Sequence, residues 1–318
     1  MHRHFSLTNE RYLLTLETSA GQCLHENEAR IMPWPIPPAT KHEQFDFLQI
    51  ILLLLYLYWA YQTIISLRGF SRPRPLPPTL SLHRFLILIP AHNEENVIAP
   101  LLESLYGQDY PTSHFDIYVI CDNCTDNTAQ IAHYFGARVL SRYDPEHPGK
   151  THNIRWALSQ ITLDPYDAIT IFDADNLVHP TFLTRMNEYL SAHPDAEAIQ
   201  GYLDTKNAHD SWLTKAYALA YWYTNRFWQL ARAQWGLSAT LGGTGLVIST
   251  SCIKRLGWDM RSLTEDLELS TKLVLGGKKF TEMSGPSPMT KNPSGIVTAI
   301  ASDSVGCKDT ISCAGNTV

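Results

Sequence analysis

Three short polar runs carry the chemistry in this sequence, and each follows an apolar segment. They are Pro-Ala-His-Asn-Glu-Glu at 90–95, Cys-Asp-Asn-Cys-Thr-Asp at 121–126 and Asp-Ala-Asp at 173–175. Carboxylates gathered at such points repel one another unless a cation sits among them. A hard divalent ion bridging a bound diphosphate removes that conflict, which makes Asp173 and Asp175 candidate metal holders. Lys150 follows Pro148-Gly149 at an expected helix start, where it offers positive charge to a phosphate approaching the helix N-terminus. Taken singly these signals are weak, since an Asp-x-Asp is often a solvated turn. In order, each behind its own apolar run, they are specific.

The elements that must position these groups alternate. Strands are expected at 84–90, 115–120, 137–140, 168–173 and 196–203. Helices are expected over 95–107, from Asp126 onward with its carboxylate as cap, over 150–160 and over 181–192. That order implies an α/β fold with a mostly parallel sheet covered by helices. Ligands of such sheets bind beyond the carboxyl ends of the strands, where the polar runs fall. The later run SWLTKAYALAYWYTNRFWQLARAQWG carries eight aromatics between Trp212 and Trp235. Most are expected to be core, with an acceptor-stacking or membrane-apposed face as the other reading. Gly242, Gly243 and Gly245 then allow close backbone approach. His92 and His152 lack partners at metal-ligand spacing and read as satisfied polar histidines.

A chain of 318 residues holds one large domain plus appendages. Its formal charge of -6 argues against a nucleic-acid partner. The Cys121/Cys124 pair has no second pair at zinc spacing, and a reducing compartment is the simpler reading. From Phe47 to Leu67 the sequence has no charge and is long enough to cross a ~30 Å hydrocarbon layer. Arg68, Arg72, Arg74 and Arg84 follow it against Lys41 before it, so the remainder is expected on the cytosolic side. The expected organisation is a poorly ordered segment at 1–45, a single transmembrane helix at 46–67, a Pro-rich linker at 68–83, a main domain at 84–278 and a tail at 279–318.

Together ILIPAHNEENVI, CDNCTDNTAQIA, GKTHNIRWAL, IFDADN, GGTGLVIS and LTEDLELS resemble the ordered motifs of family-2 glycosyltransferases with the GT-A fold. The likeness is to the membrane-bound branch that includes cellulose, hyaluronan and poly-N-acetylglucosamine synthases, and it runs from about Arg84 to Gly277. It implies inverting, metal-dependent transfer of a sugar from a nucleotide-diphosphate donor, a UDP-sugar, to a glycan or lipid-linked acceptor at the cytosolic face of a lipid bilayer. Mg²⁺ or Mn²⁺ is the implied cofactor. By the same resemblance Ala91 and Glu94 help hold the nucleoside, Asp122 contacts the uracil or ribose side, and Lys150 faces the diphosphate. Asp173 holds nucleotide and, with Asp175, metal; Asp266 is the general base, with Glu265 beside it. Cys121 and Asn123 depart from the Asp and Gly more usual around Asp122.

Beyond Ser284 the sequence contains no aromatic residue and no Gln-x-x-Arg-Trp, the family's closing motif. Gln229-Leu-Ala-Arg232-Ala is a near miss upstream of Asp266. Codons for 300–310 read two bases out of frame permit Arg-Gln-Arg-Gln-Arg-Trp, so residues 279–318 are expected to be a frameshifted, disordered tail. Two other readings stand beside the transferase. One is a membrane-tethered nucleotide-sugar-binding protein, inactive because that region is lost. The other is a sugar nucleotidyltransferase, which needs a Gly-rich, Arg-containing loop where PAHNEEN stands.

Overall fold

A computed structural model of the chain describes residues 41–71, 76, 77, 79–206, 210–260, 262, 264–277, 281–282 and 296–299. In chain order the elements begin with α1 (Lys41–Ser66), β1 (Phe85–Ala91), α2 (Ile98–Tyr106), β2 (Phe115–Asp122), α3 (Thr128–Tyr134), β3 (Arg138–Arg142) and α4 (Lys150–Gln160). They continue with β4 (Ala168–Ile171), β5 (Leu177–Val178), α5 (Phe182–Ala192), β6 (Ala198–Gln200), β7 (Tyr202–Thr205), α6 (Trp212–Tyr223) and α7 (Leu230–Gln234). The last are β8 (Leu246–Ser249), α8 (Thr250–Leu256), α9 (Glu265–Leu275), β9 (Thr281–Glu282) and β10 (Ile296–Ala299).

β1 sits inside the main sheet between β2 and β4, and its period-two alternation feeds two cores. Phe85, Ile87 and Ile89 pack against Leu101 and Leu105 of α2 and Phe182 and Met186 of α5. Leu86 and Leu88 face the opposite cluster, with Ile154 and Ala157 of α4 and Leu269 and Leu273 of α9. All five strand side chains are fully buried, which is why this run contains no polar residue. The sheet order is β3-β2-β1-β4-β8-β6-β9. β1 pairs in parallel with β2 and β4, and β2 with β3, so these strands end on one edge. β8 runs antiparallel between β4 and β6.

The strand expected at 196–203 is two strands. β6 stays in the main sheet, whereas β7 leaves it for a smaller sheet of order β5-β10-β7. The break is at Gly201, whose N–H donates to the Gly245 carbonyl (2.9 Å) as the last link of the β6–β8 register, before β7 turns to pair with β10. Gly245 sits at φ +63°, a left-handed turn that glycine adopts without strain, and its own N–H reaches the Ile171 carbonyl. α3 starts at Thr128, two residues later than expected, with Asn127 at the cap position, and the Asp126 Oδ1 accepts from the Thr128 N–H (3.0 Å) and hydroxyl (2.6 Å).

The aromatic run departs most from expectation. None of the eight aromatics between Trp212 and Trp235 is buried, and α6 contributes no buried residue at all. The segment is fastened by amides instead. After α6 the helix widens into a π-type turn over Thr224–Gln229, where Asn225 and Gln229 are buried. Asn225 Nδ2 donates to the Leu203 carbonyl, while Gln229 clamps both the N–H and the carbonyl of Thr240.

The chain falls into two units, 1–54 and 55–318. Among the described residues the first holds only the start of α1. Asp46–Phe70 is long and apolar enough to cross a membrane by length and composition, and almost none of it is buried within the protein. The segment expected at 1–45 lies, up to residue 40, outside the described residues. Of the tail expected at 279–318, only β9 and β10 are described.

Candidate active site at the strand ends

The loops after β1, β2 and β4 meet. Behind β1, Asn93 takes a left-handed turn (φ +56°) and its Oδ1 accepts from the Thr125 N–H (2.8 Å). The Glu94 N–H donates to the Thr128 hydroxyl (2.8 Å) and the Glu95 N–H to Asp126 Oδ2 (3.0 Å). This lacing turns two separate sequence runs into one wall. It frees the Glu94 carboxylate, which burial pushes above the usual carboxylate range, followed by the charges of Asp175 and Asp126. Glu94 therefore feels the third loop directly. Burial, then Asp173, likewise raises Asp175, with Lys150 and Lys206 opposing. Such mutual elevation marks a carboxylate cluster short of positive charge.

Lys150 opens α4 and brings positive charge into contact with the cluster. Its Nζ donates to Asp173 Oδ1 (2.6 Å) and to the Gly243 carbonyl (2.5 Å), and it stands 3.4 Å from Glu265 Oε1. A Cβ at Gly243 would sit 3.4 Å from that ammonium, so the close approach expected of this glycine is occupied by Lys150. Glu265 is the first residue of α9, and through Lys150 the helix end is tied to β4. Asp266 follows it, half-buried, with its Oδ1 accepting from the Leu267 N–H (2.8 Å).

Asp122, expected on the uracil or ribose side, is tied into the protein. The carboxylate belongs to a residue only 3% exposed and already accepts from Arg142 Nη1 (2.8 Å), Asn123 Nδ2 (3.1 Å) and the Gly149 N–H (3.1 Å). In this structure it orders the loop that delivers Lys150, with no oxygen left without a protein donor. Arg142 lies opposite it in the β2–β3 register and also binds Asp144 Oδ2 (2.7 Å) and the His147 carbonyl (2.8 Å). Asn123 holds φ +51°, the left-handed conformation that the family's glycine would adopt, and asparagine tolerates it. Ala91 ends β1 with its side chain buried, so only its backbone faces the loops. His92 donates from Nδ1 to the Asp122 carbonyl (2.6 Å), as a satisfied histidine. Burial pushes the Cys121 thiol up to about 12, which removes it as a thiolate ligand or nucleophile at neutral pH.

Three residues went unsuspected in the sequence. The Thr244 hydroxyl accepts from the Asp173 N–H (3.1 Å) and donates to Asn176 Oδ1, fixing the Asp-Ala-Asp turn. Buried Gln200 accepts from the Gly242 N–H (2.7 Å) and donates to the Thr244 carbonyl (2.9 Å), holding the glycine loop against that turn. The available signal was a lone amide inside an otherwise apolar strand.

Among the described residues no three His, Cys, Asp or Glu side chains gather closely enough to hold a metal by themselves. Asp173 and Asp175 suit a hard ion that takes its other oxygens from a diphosphate and water. The raised Asp175 is consistent with that donor set.

Comparison with known proteins gives the same arrangement a context. A family model described as "Glycosyltransferase like family 2" matches residues 83–293. The probable glycosyltransferase YdaM of Bacillus subtilis is 27% identical over 239 residues, 70% of this chain and 56% of its own length. The beta-monoglucosyldiacylglycerol synthase of a Nostoc species is 30% identical over 241 residues, 73% of this chain and 50% of its own length. The chain thus spans about half the length of the curated relatives it matches. Among solved structures, the mannosyltransferase PcManGT of Pyrobaculum calidifontis, in complex with GDP-Man and Mn²⁺, superposes with TM-score 0.57 at 18% identity, covering 81% of this chain and 69% of its own. S. aureus TarS 1–349 with UDP-GlcNAc gives TM-score 0.50 at 19% identity, over 69% of this chain and 59% of its own. At these identities the likeness shows the fold, a GT-A-type sheet.

Proposed function

Since the chain belongs to glycosyltransferase family 2, we propose that it transfers a sugar from a nucleotide-diphosphate donor to a hydroxyl acceptor, with inversion, at the cytosolic face of a membrane. The observation that carries this reading is the convergence of Glu94, Asp173, Asp175 and Lys150 at the strand ends, with Glu265 of α9 held against Lys150.

Asp173 and Asp175 hold a divalent ion, Mg²⁺ or Mn²⁺, which when bound supplies Lewis-acid stabilisation to the leaving diphosphate. The Mn²⁺ of the PcManGT complex supports this choice. Lys150 exchanges its contact with Asp173 for the diphosphate, and its charge stabilises the departing group. Ala91 and Glu94 lie on the nucleoside side, and Asp122 keeps the Lys150 loop in place. Asp266 accepts the proton of the attacking hydroxyl, and one displacement inverts the anomeric centre. Glu265 orients Lys150 from the acceptor side. Asp46–Phe70 anchors the chain, with Arg68 at its cytosolic end.

A donor screen on the purified chain tests the reading, with released nucleoside diphosphate as readout and UDP- and GDP-sugars as separate arms. Metal-dependent release from one donor class supports transfer. Binding of donor without release above the uncatalysed rate favours the tethered nucleotide-sugar-binding protein instead.

A further inference from the structure

The turn that carries Asp122 also carries two thiols. Cys121 is the last residue but one of β2, and Cys124 stands three residues on, beyond Asn123 at φ +51°. The two side chains are in hydrogen-bonding contact, and neither is joined to another cysteine. Cys121 is only 2% exposed, whereas Cys124 is partly open and within reach of a small reagent.

Cys124 does more in this turn than fill space. Its S–H donates to the Ala91 carbonyl (3.5 Å), and its sulfur accepts from the Asn93 N–H (3.4 Å). Ala91 ends β1 and Asn93 belongs to the loop behind it, so one sulfur stitches the loops after β1 and β2 together. Asn93 Oδ1 continues the seam to the Thr125 N–H, and the Glu94 N–H extends it to the Thr128 hydroxyl. Asp122, between the two thiols, accepts from the Gly149 N–H and so steadies the loop that delivers Lys150. A change of state at Cys124 therefore reaches the proposed nucleoside side and the Lys150 loop together. The transfer mechanism uses neither sulfur.

We propose that Cys121 and Cys124 form an oxidative modification site, closing to a disulfide that undoes this seam and weakens nucleotide binding. The co-reactant is a small-molecule disulfide. The Cys124 thiolate attacks one of its sulfurs and expels a first small thiol, leaving a mixed disulfide. Cys121 then attacks the Cys124 sulfur, an S–S bond forms within the chain, and the second small thiol leaves with the Cys121 proton. Two electrons pass from the pair to the reagent, which ends as two thiols. Burial, then the Cys124 sulfur beside it, holds the Cys121 thiol up while the pair is reduced. Capping Cys124 removes the second of these causes, so the first step prepares the next. The new bond consumes the S–H that the Ala91 carbonyl accepted. A dithiol reverses the sequence, and in a reducing compartment the open pair is the resting state. The link itself needs no donor chemistry, whereas its effect on affinity rests on the function proposed above.

The test uses the full chain in three states: reduced, treated with oxidised glutathione, and treated and then returned to dithiothreitol. Peptide mass mapping reads the link as a segment spanning Cys121 and Cys124 that has lost both thiol hydrogens. Calorimetry reads the binding of UDP and GDP with Mn²⁺. The expected result is a link in the oxidised sample with nucleotide affinity down about tenfold, the scale of one lost contact, and restored by the dithiol. Cys121→Ala should bind as the parent does when reduced, and should accumulate glutathione on Cys124 because nothing resolves it. Should that variant not fold, the parent's own map and titration decide. Glutathione retained on Cys124 of the parent without a link overturns the proposal, as does no reaction at all. A link that leaves affinity unchanged overturns it too. A reduced parent that binds neither nucleotide contradicts the donor reading instead, and the mass map still decides whether the pair closes.

Discussion

The strand-end half of the domain, 84–192, and the aromatic segment, 212–240, are built on opposite rules. In the first, apolar side chains vanish into two cores and charged groups find partners on neighbouring elements, as Arg142 does with Asp122 and Asp144. In the second, no large apolar side chain of α6 is buried, and two amides, Asn225 and Gln229, do much of the fastening. The contrast shows that an apolar residue type specifies removal from water but not what removes it.

The largest expected effect tests the polar lacing. Arg142→Ala leaves Asp122 buried without its cation and should cost about 3–5 kcal/mol in chemical denaturation, the usual result of breaking a buried pair. Arg232→Ala, which lies over the Trp228 ring in the second region, should cost about 1 kcal/mol or less. Equal losses would erase the distinction. Next comes a matched pair of leucines. Leu88→Ala in β1 should lose about 2–5 kcal/mol, as large-to-small changes in cores do. Leu219→Ala on α6, measured in detergent, should stay within about 0.5 kcal/mol. A Leu219→Ala loss as large as that of Leu88→Ala would mean α6 packs a protein core.

Within the site, the two α9 carboxylates are separable. Asp266→Asn in an active form should slow turnover by ~10²-fold or more with donor affinity little changed, as loss of a general base does. Loss of affinity with turnover intact would make Asp266 a binding residue. The smallest effect concerns pH. Burial and then Asp173 raise the Asp175 pKa, so the folded chain holds that proton more tightly than the unfolded chain does. Ionised Asp175 therefore costs stability at neutral pH, and the cost fades as pH falls through its folded pKa. Without divalent ions, Asp175→Asn should melt slightly above the parent near pH 7, and the gap should close toward about pH 4. A gap that widens on acidification reverses the sign.

Much of the first region was legible because strand periodicity and polar strand ends are local signals. The β1, β2 and β4 runs and the start of α4 lie where the pattern puts them. Three features were not legible. Asp122 turned inward because Arg142, twenty residues on, stands opposite it in the register of a neighbouring strand. The strand at 196–203 divides because beyond Gly201 its continuation, β7, pairs with β10, a partner far along the chain. The aromatics of α6 were expected in the core because side-chain type carries no label for the surrounding medium. The frameshift expected for 279–318 falls mostly outside the described residues, and sequencing the gene decides it.

The most direct measurement is calorimetric titration of UDP and GDP into the full chain and into Asp175→Asn, each with and without Mn²⁺. Metal-dependent binding of one nucleotide to the parent, lost in Asp175→Asn while circular dichroism is unchanged, is the predicted result. Undiminished Mn²⁺-stimulated binding in Asp175→Asn would contradict a donor site centred on the strand-end carboxylates.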